Sequence, residues 1–266
     1  MRIDILTLFP GMFVGLTGQS IIKRALEAAL VEIELWDIRD YCLDKHHSAD
    51  DYPFGGGAGM LLKPEPLYRL LEQFPDNAHV VHLTPAGEPL KQKLVTRLAT
   101  AERLVLLCGH YEGIDQRVVA RFVHQEVSIG DYILSGGELP AMVLADAVVR
   151  LIPGVLGSSL SLQQESFTTG LLEYPQYTRP TDLRGDRVPE LLRQGDHGAI
   201  ARWQRKESIR RTLQRRPDLL LTSSLNKEDR KILLQLLREE GNNHASHDPT
   251  PGKGNAEKGF TSFQTR

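Results

Sequence analysis

The alternation of short apolar runs with amphipathic runs constrains the fold of this 266-residue chain more than any other feature. Ala78–Leu83 and Leu104–Cys108 are short apolar runs bounded by turn residues, which is typical of buried parallel strands. The predicted strands are Arg2–Leu8, Val31–Ile38, Ala78–Leu83, Leu104–Cys108 and Glu126–Ile129, and the predicted helices are Ser20–Leu30, Glu88–Thr100, Gln116–Val123 and Glu138–Ile152. This order predicts an α/β fold, a parallel sheet with helices on both faces.

The pattern changes after Gly157. Residues 158–180 carry polar clusters without a sustained period, which predicts a linker. From Pro189 the chain has a helical pattern, and its polar C-terminus, poor in aliphatic residues, predicts a disordered tail. We therefore expect four segments: an α/β domain over residues 1–160, a linker over 161–180, a small mainly helical domain over 181–242, and a tail over 243–266.

Charge is distributed unevenly between these segments. Residues 1–178 hold 14 Lys+Arg and 22 Asp+Glu, whereas residues 179–240 hold 15 Lys+Arg and 10 Asp+Glu. An acidic domain followed by an Arg-rich one indicates that the second domain faces a polyanion. On charge alone, a solvated helical surface remains an equal alternative.

Composition argues against several classes of protein. No apolar run reaches the roughly 18 residues that a membrane helix needs. The N-terminus, MRIDILTLFP, lacks the basic region and cleavage site of a secretory signal. Only two cysteines occur, Cys42 and Cys108, so a disulfide framework is not expected. These features favour a cytoplasmic protein that does not associate with a membrane.

The run FGGGAGM, Phe54–Met60, contains the spacing GxGxG without the setting of a dinucleotide site. A Rossmann fingerprint follows a buried strand and opens a helix. Here polar HHSADDYP precedes the run, and Pro64 and Pro66 follow it. A loop whose glycines permit positive φ or close approach to a ligand fits better. His46, His47, Asp50 and Asp51 match no standard metal spacing, so a solvated loop is favoured over a metal site.

Three loops that follow predicted strands carry the strongest functional signal. They are LTPAGEP (Leu83–Pro89), GHYEGID (Gly109–Asp115) and SIGDYILSGGELP (Ser128–Pro140). Ligands of open α/β sheets bind outside the carboxyl ends of strands. Ordinary strand–helix connections with helix caps are the alternative for any single loop, but three together favour one shared pocket.

The same segments resemble a known family. GHYEGID, SIGDYILSGGELPAM, RLIPGVLG (Arg150–Gly157), ESF (Glu165–Phe167) and YPQYTRP (Tyr174–Pro180) together resemble the bacterial tRNA (guanine-N1)-methyltransferases, the TrmD family. DILTLFPGMF and DYPFGGGAGM are similar to the same family. The resemblance runs from Met1 to about Glu240 and leaves only the tail outside.

The resemblance implies an S-adenosylmethionine-dependent enzyme of the SPOUT class. Members have a parallel sheet whose chain threads a deep trefoil knot, an expectation that sequence rules alone would not raise. They act as homodimers with the active site at the interface. They methylate N1 of the guanosine immediately 3′ of the anticodon in tRNA, which protects the reading frame in translation. The resemblance also suggests that the enzyme requires Mg²⁺. The sequence does not establish this requirement, and no residue is assigned as a metal ligand.

By resemblance, the three loops bind the methyl donor. The implied cofactor-binding residues are Leu83, Thr84, Pro85, Gly109, Glu112, Ile129, Gly130, Tyr132, Leu134, Gly136 and Gly137. A Cβ at Gly136 or Gly137 is expected to block the approach of a flat base to the backbone. Glu112 and Asp115 are candidates for contacts to the ribose or the cationic part of the donor, with an N-cap as the alternative for Asp115.

The family places the catalytic acid in the linker and an arginine at the end of the long helix. These positions correspond to Glu165 and Arg150. A carboxylate can remove the N1 proton while a cation stabilises negative charge on O6. Glutamate at position 165 departs from the aspartate of the best-studied members and alters the reach of the carboxylate. For Arg150 alone, a charge that complements the helix dipole is the alternative.

The Arg-rich segment is expected to contact tRNA phosphates, and only some of its basic residues will do so. The candidates are Arg184, Arg187, Arg193, Arg202, Arg205, Lys206, Arg210, Arg211, Arg215 and Arg216. Trp203 is expected in the core rather than as a base-stacking platform. Three rival functions remain: a noncatalytic RNA-binding protein, a knotted methyltransferase acting on ribose, and a nicotinamide-dependent dehydrogenase.

Overall fold

The computed structural model describes residues 1–157 and 165–245. The chain divides into two compact units, Met1–Gln163 and Gln164–Arg266, and each is described by itself. Most of the predicted tail and the start of the predicted linker lie outside the described residues.

A five-stranded parallel sheet forms the centre of the first unit, with the strand order β2-β1-β6-β5-β7. Its strands are β1 (Arg2–Thr7), β2 (Glu32–Asp37), β5 (His79–Pro89), β6 (Arg103–Cys108) and β7 (Gln125–Ser128). Two further strands, β3 (Asp50–Asp51) and β4 (Leu61–Leu62), pair antiparallel with each other. The predicted parallel α/β fold is confirmed, while the knot stays a prediction.

Helices cover both faces of the sheet. They are α1 (Val14–Thr17), α2 (Ser20–Glu27), α3 (Pro64–Leu71), α4 (Gln92–Leu98), α5 (Gln116–Phe122) and α6 (Glu138–Val149), with 3₁₀ turns at Pro10–Phe13 and Ile38–Tyr41. Successive side chains of a strand point to opposite faces. In β6, Leu104 and Leu106 therefore pack with α2, α4 and α6, whereas Val105 and Leu107 pack with α3 and α5.

Strand β5 differs most from the sequence-based expectation. The expected loop after Leu83 and the start of the expected helix at Glu88 both belong to this strand. Leu83 and Glu88 both lie opposite Val127 of β7, so the residues between them bulge out of the ladder. A Cβ on Gly87 would overlap the backbone of β7, which explains the glycine. The following helix begins only at Gln92.

Two other helix expectations need correction. The helix α3 was missed because Pro64 and Pro66 suggested a loop, yet proline is well tolerated in the first turn of a helix. The helix α2 ends before the expected Leu30 because Ala29 takes a φ of 53°. The Leu30 amide then bonds to the Ala25 carbonyl, as in a Schellman end. The glycine-rich run is still no Rossmann site, since no buried sheet strand leads into it.

The second unit is mainly helical, as expected. It contains α7 (His197–Arg215), α8 (Pro217–Leu220) and α9 (Lys227–Ala245), a 3₁₀ turn at Glu190–Arg193, and the short hairpin β8 (Asp182–Leu183) and β9 (Asp186–Arg187). Leu171, Ile209 and Leu236 form its buried core. Trp203 is half-buried, with its ring 6.4 Å from that of Tyr177.

A buried carboxylate ties three strands together at the amino-terminal edge of the sheet. Asp4 of β1 is fully buried and accepts hydrogen bonds from Arg103 of β6 at 2.7 Å, from Arg2 at 3.1 Å and from the Trp36 indole of β2 at 2.9 Å. Burial alone would raise the pKa of the Asp4 carboxyl, but these hydrogen bonds outweigh it and lower that pKa below its ordinary value.

Replacing Asp4 by asparagine should lower the free energy of unfolding by about 3 kcal/mol at pH 7, because Arg2 and Arg103 lose their shared carboxylate. Because the pKa of the Asp4 carboxyl is lower in the folded protein, its ionised form stabilises the fold at pH values above the pKa of the unfolded chain, about 3.9. This stabilisation is lost as the pH falls through the folded-state pKa. The difference between the two proteins should therefore shrink below about pH 4. Urea unfolding, followed by Trp36 fluorescence in a Trp203→Phe background, measures it.

Asp76→Asn is the matched control, because Asp76 is exposed in the turn before β5. Its stability should match the parent at every pH. A stability difference for Asp4→Asn that does not depend on pH would contradict the proposed role of the ionised carboxylate.

Candidate functional site

A cavity of about 260 Å³ lies at the carboxyl ends of β5, β6 and β7. Leu83–Pro85 come from the bulge of β5, Gly109–Gly113 follow β6, and Val127–Gly137 run from the end of β7 to the start of α6. Parallel strands present their carboxyl ends at one sheet edge, which is why three loops distant in sequence meet here.

All eleven residues predicted to bind the cofactor line this cavity: Leu83, Thr84, Pro85, Gly109, Glu112, Ile129, Gly130, Tyr132, Leu134, Gly136 and Gly137. Their contacts with a ligand stay a prediction. Sequence reasoning missed nine further lining residues: His82, His110, Tyr111, Gly113, Val127, Ser128, Ile133, Ser135 and Pro140. Most lie in the same loops, so their position in those loops was the available signal.

Backbone contacts hold the second and third loops together. The Gly137 amide donates to the Gly109 carbonyl at 2.7 Å, and His110 bridges to Gly136. A Cβ on Gly137 would lie 2.8 Å from Cys108 Cα and 2.9 Å from the Gly109 nitrogen. The glycine is therefore needed where two backbones meet. The expectation that Gly137 also leaves room for the ligand stays a prediction.

The glycine-rich run Phe54–Met60 lies against the second loop. The Glu112 amide donates to the Met60 carbonyl at 3.0 Å, and the Leu62 amide donates to the Gly113 carbonyl at 3.0 Å. Gly59 has a φ of 90°, and a Cβ there would overlap the Glu112 side chain. The run thus lies behind Glu112, and its positive φ agrees with one of the two expectations for these glycines, while close approach to a ligand stays a prediction.

The charge of the lining is distinctive. Among the described residues that form it, there is no lysine or arginine, and Glu112 is the only carboxylate. Burial lowers the pKa of the His82 imidazole, partly opposed by the Leu107 carbonyl, so His82 is neutral near pH 7. Burial likewise raises the pKa of the adjacent Cys108 thiol. A phosphate would find no cation in this lining, whereas an uncharged or cationic ligand fits it.

Asp115 is the N-cap of α5, which was the alternative to a contact with the methyl donor. It caps α5 by accepting from the Arg117 amide at 2.9 Å and pairs with the Arg117 guanidinium at 2.7 Å. The hydrogen bond from the Arg117 guanidinium lowers the pKa of the Asp115 carboxyl below its ordinary value. Asp115 does not line the cavity.

The two predicted catalytic residues lie in different units. Arg150 is the half-buried C-cap residue of α6, at the end of this helix opposite to the start that lines the cavity. Glu165 is half-buried at the beginning of the described part of the second unit. Their catalytic roles stay a prediction.

The basic side chains of the second unit fall into two groups. Arg205 forms a bidentate pair with Asp229, both distances being 2.8 Å, and Asp229 is only 1% exposed. Five others also meet acidic side chains or a carbonyl: Arg187, Lys206, Arg210, Arg211 and Arg216. Among the described residues, no ion pair is formed by Arg184, Arg193, Arg202 or Arg215, and for these four of the ten candidates a phosphate contact stays a prediction.

Within residues 1–157 and 165–245, no group of three or more His, Cys, Asp or Glu side chains is arranged to hold a metal ion. The His47 imidazole contacts the Arg39 carbonyl at 3.0 Å, and Asp44 accepts from the Ser48 amide, so local contacts order this loop. The same described ranges contain no helix long and apolar enough to cross a membrane.

Comparison with known proteins agrees with the motifs and the cavity. The family model described as tRNA (Guanine-1)-methyltransferase TrmD matches residues 1–222. The chain is 54% identical over 242 residues to the tRNA (guanine-N(1)-)-methyltransferase of Pelotomaculum thermopropionicum, covering 89% of this chain and 96% of that protein. It is 50% identical over 244 residues to the protein of the same name from Bacillus cereus, covering 90% and 100%.

The proteins that match are methyltransferases that modify tRNA. The chain belongs to the tRNA (guanine-N1)-methyltransferase family.

Replacing Arg205 by alanine should lower the free energy of unfolding by about 3 kcal/mol, because Asp229 would stay buried without its cation. Arg202→Ala, on the same helix, should change it by less than about 0.5 kcal/mol. Thermal unfolding of both variants makes the comparison. Equal stabilities would show that Arg205 does not support the fold and return it to the candidate phosphate contacts.

Proposed function

We propose that this enzyme transfers a methyl group from S-adenosylmethionine to N1 of the guanosine immediately 3′ of the anticodon in tRNA. The product is 1-methylguanosine, which protects the reading frame in translation. The observation that carries the proposal is the cavity at the ends of β5, β6 and β7. It gathers every residue that the family resemblance assigns to the methyl donor.

The chemistry of the lining supports this donor. An adenosine with a sulfonium group has no phosphate and carries positive charge near its reactive carbon. The lining offers backbone amides and carbonyls for a base, apolar side chains such as Leu83 and Ile129, and the carboxylate of Glu112. The phosphates of a dinucleotide are usually met by cationic side chains, and the described lining contains none, which argues against the dehydrogenase alternative.

Two side chains carry the chemistry in this proposal. The donor supplies an electrophilic methyl group. Glu165 would take the N1 proton of guanine, and the electron pair of that N–H bond would form the new N–C bond. The bond between the methyl carbon and sulfur would break at the same time, its electron pair staying on sulfur, so that S-adenosylhomocysteine leaves. Arg150 stabilises the negative charge that grows on O6. The partial burial of both residues strengthens such interactions. Family membership also disfavours the ribose and noncatalytic alternatives.

The second unit supplies the contacts to the RNA backbone in our proposal. Its basic side chains would position the anticodon stem through phosphates, so affinity should fall with added salt. The target base must leave the stacked loop to reach the sheet edge, which calls for base flipping. We also propose that the α/β domain, the linker, the helical domain and the tail meet at residues 160, 180 and 242. The linker would close over the bound base.

We further propose a cytoplasmic homodimer. The 3₁₀ turn at Pro10–Phe13 packs beside α6, and both expose apolar side chains. Met12, Leu139 and Val143 are each about half exposed. An exposed apolar surface of this kind suits a protein partner, and a second copy would use the same surface twice.

Methylation of unmodified tRNA transcripts tests the function. Incubation with S-adenosylmethionine followed by nucleoside mass spectrometry should show 1-methylguanosine only in transcripts with guanosine immediately 3′ of the anticodon. A transcript with adenosine at that position is the control. Methyl transfer to ribose, or none at all, would overturn the proposal.

Glu165→Ala should retain donor binding and lose turnover by a factor of roughly 10² to 10⁴, the usual contribution of a general base. Single-turnover assays give the rate, and calorimetry with S-adenosylhomocysteine gives the binding. Glu228→Ala, an exposed carboxylate in the first turn of α9, is the control and should keep the wild-type rate. A wild-type rate for Glu165→Ala would remove Glu165 from the mechanism.

A further inference from the structure

One polar atom at the cavity lacks a partner. His110 lines the cavity, and its Nδ1 atom is buried without a hydrogen bond in the described part of the chain. An unpaired buried polar atom costs free energy, so a native site usually provides a partner in some state. A group near His110 Nδ1 should therefore be able to become its partner.

The nearest candidate is the carboxylate of Glu138 in the first turn of α6. Glu138 is only 2% exposed, and its Oε2 atom lies 3.8 Å from His110 Nδ1. Its other oxygen, Oε1, accepts from the Thr7 hydroxyl at 2.8 Å, and that hydroxyl in turn accepts from the Phe9 amide at 3.0 Å. One end of the carboxylate is thus anchored to β1, while the other end faces His110.

Gly136 leaves the space that this pair needs. A Cβ on Gly136 would overlap both Glu138 Oε2 and His110 Nδ1. The residue therefore allows contact between two protein side chains, while its predicted role at the ligand stays a prediction. The sequence offers no sign of the contact, because His110 lies in the loop after β6 and Glu138 in the first turn of α6.

Neighbouring rings restrict the orientation of the His110 side chain. The Phe9 ring lies 4.9 Å and the Tyr111 ring 4.8 Å from the imidazole, both as centroid distances. A small movement of the loop after β6 would bring Nδ1 within hydrogen-bond distance of Glu138. Hydrogen bonds in ligand-free sites are often long and tighten when the ligand binds.

We propose that Glu138 is a positioning residue, which accepts a hydrogen bond from His110 Nδ1 when the methyl donor fills the cavity. This inference rests on the proposed function. An Nδ1 lone pair would repel the carboxylate, so the tautomer that fits this contact carries its proton on Nδ1. Nε2 is then an acceptor for an amino or hydroxyl group of the donor. Glu138 thus sets which group of the donor His110 can recognise.

Glu138→Gln separates this role from a structural one. Its amide oxygen can still accept from Thr7, but its NH₂ group cannot accept from His110 Nδ1. We expect the KM for S-adenosylmethionine to rise about tenfold or more, as for loss of a charge-assisted hydrogen bond. The KM for tRNA should stay within about twofold, and the melting temperature within about 2 °C. Glu27→Gln, an exposed carboxylate on α2, is the matched control.

Nitrogen-15 NMR of the His110 ring supplies a second readout. With S-adenosylhomocysteine bound, the wild-type ring should be protonated on Nδ1, and Glu138→Gln should lose this preference. An unchanged KM for the donor, or equal losses for donor and tRNA with a lower melting temperature, would overturn the inference. Failure of the wild type to bind S-adenosylhomocysteine would instead contradict the proposed function. Binding with an unprotonated Nδ1 would contradict only the role of Glu138.

Discussion

The hydrogen bond from the Gly137 amide to the Gly109 carbonyl joins the loop after β6 to the start of α6. At 2.7 Å it brings two backbones so close that a side chain at position 137 would meet Cys108. The long loop between β7 and α6 is thereby held beside the loop after β6. The bulge of β5 completes the enclosure from the other side. This contact and the bridge between His110 and Gly136 together link two of the three segments that line the cavity.

The two units of the chain differ in charge. The described lining of the cavity in the first unit has one carboxylate and no lysine or arginine, whereas the second unit is rich in arginine. The proposed methyl donor, with its cationic sulfur, and the polyanionic RNA of our proposal would suit these opposite settings. Arg205 shows that local contacts matter more than composition, because its bidentate pair with Asp229 makes it part of the fold.

The sheet was predictable from sequence because buried strands such as Leu104–Cys108 combine apolar residues with clear turn boundaries. Strand β5 was not, because the bulge between Leu83 and Glu88 depends on its partner β7. All predicted cavity residues came together, since family motifs and strand ends indicate the same loops. The contact between His110 and Glu138 was beyond sequence reasoning, because it forms only when the loops after β6 and β7 meet.

The central claim is that the cavity at the ends of β5, β6 and β7 holds the methyl donor. A crystal structure of the chain grown with S-adenosylhomocysteine tests it directly. Our account predicts the ligand between Leu83–Pro85, Gly109–Glu112 and Ile129–Gly137, with no phosphate-like anion beside it. A ligand bound elsewhere on the chain, with this cavity filled only by solvent, would contradict the account.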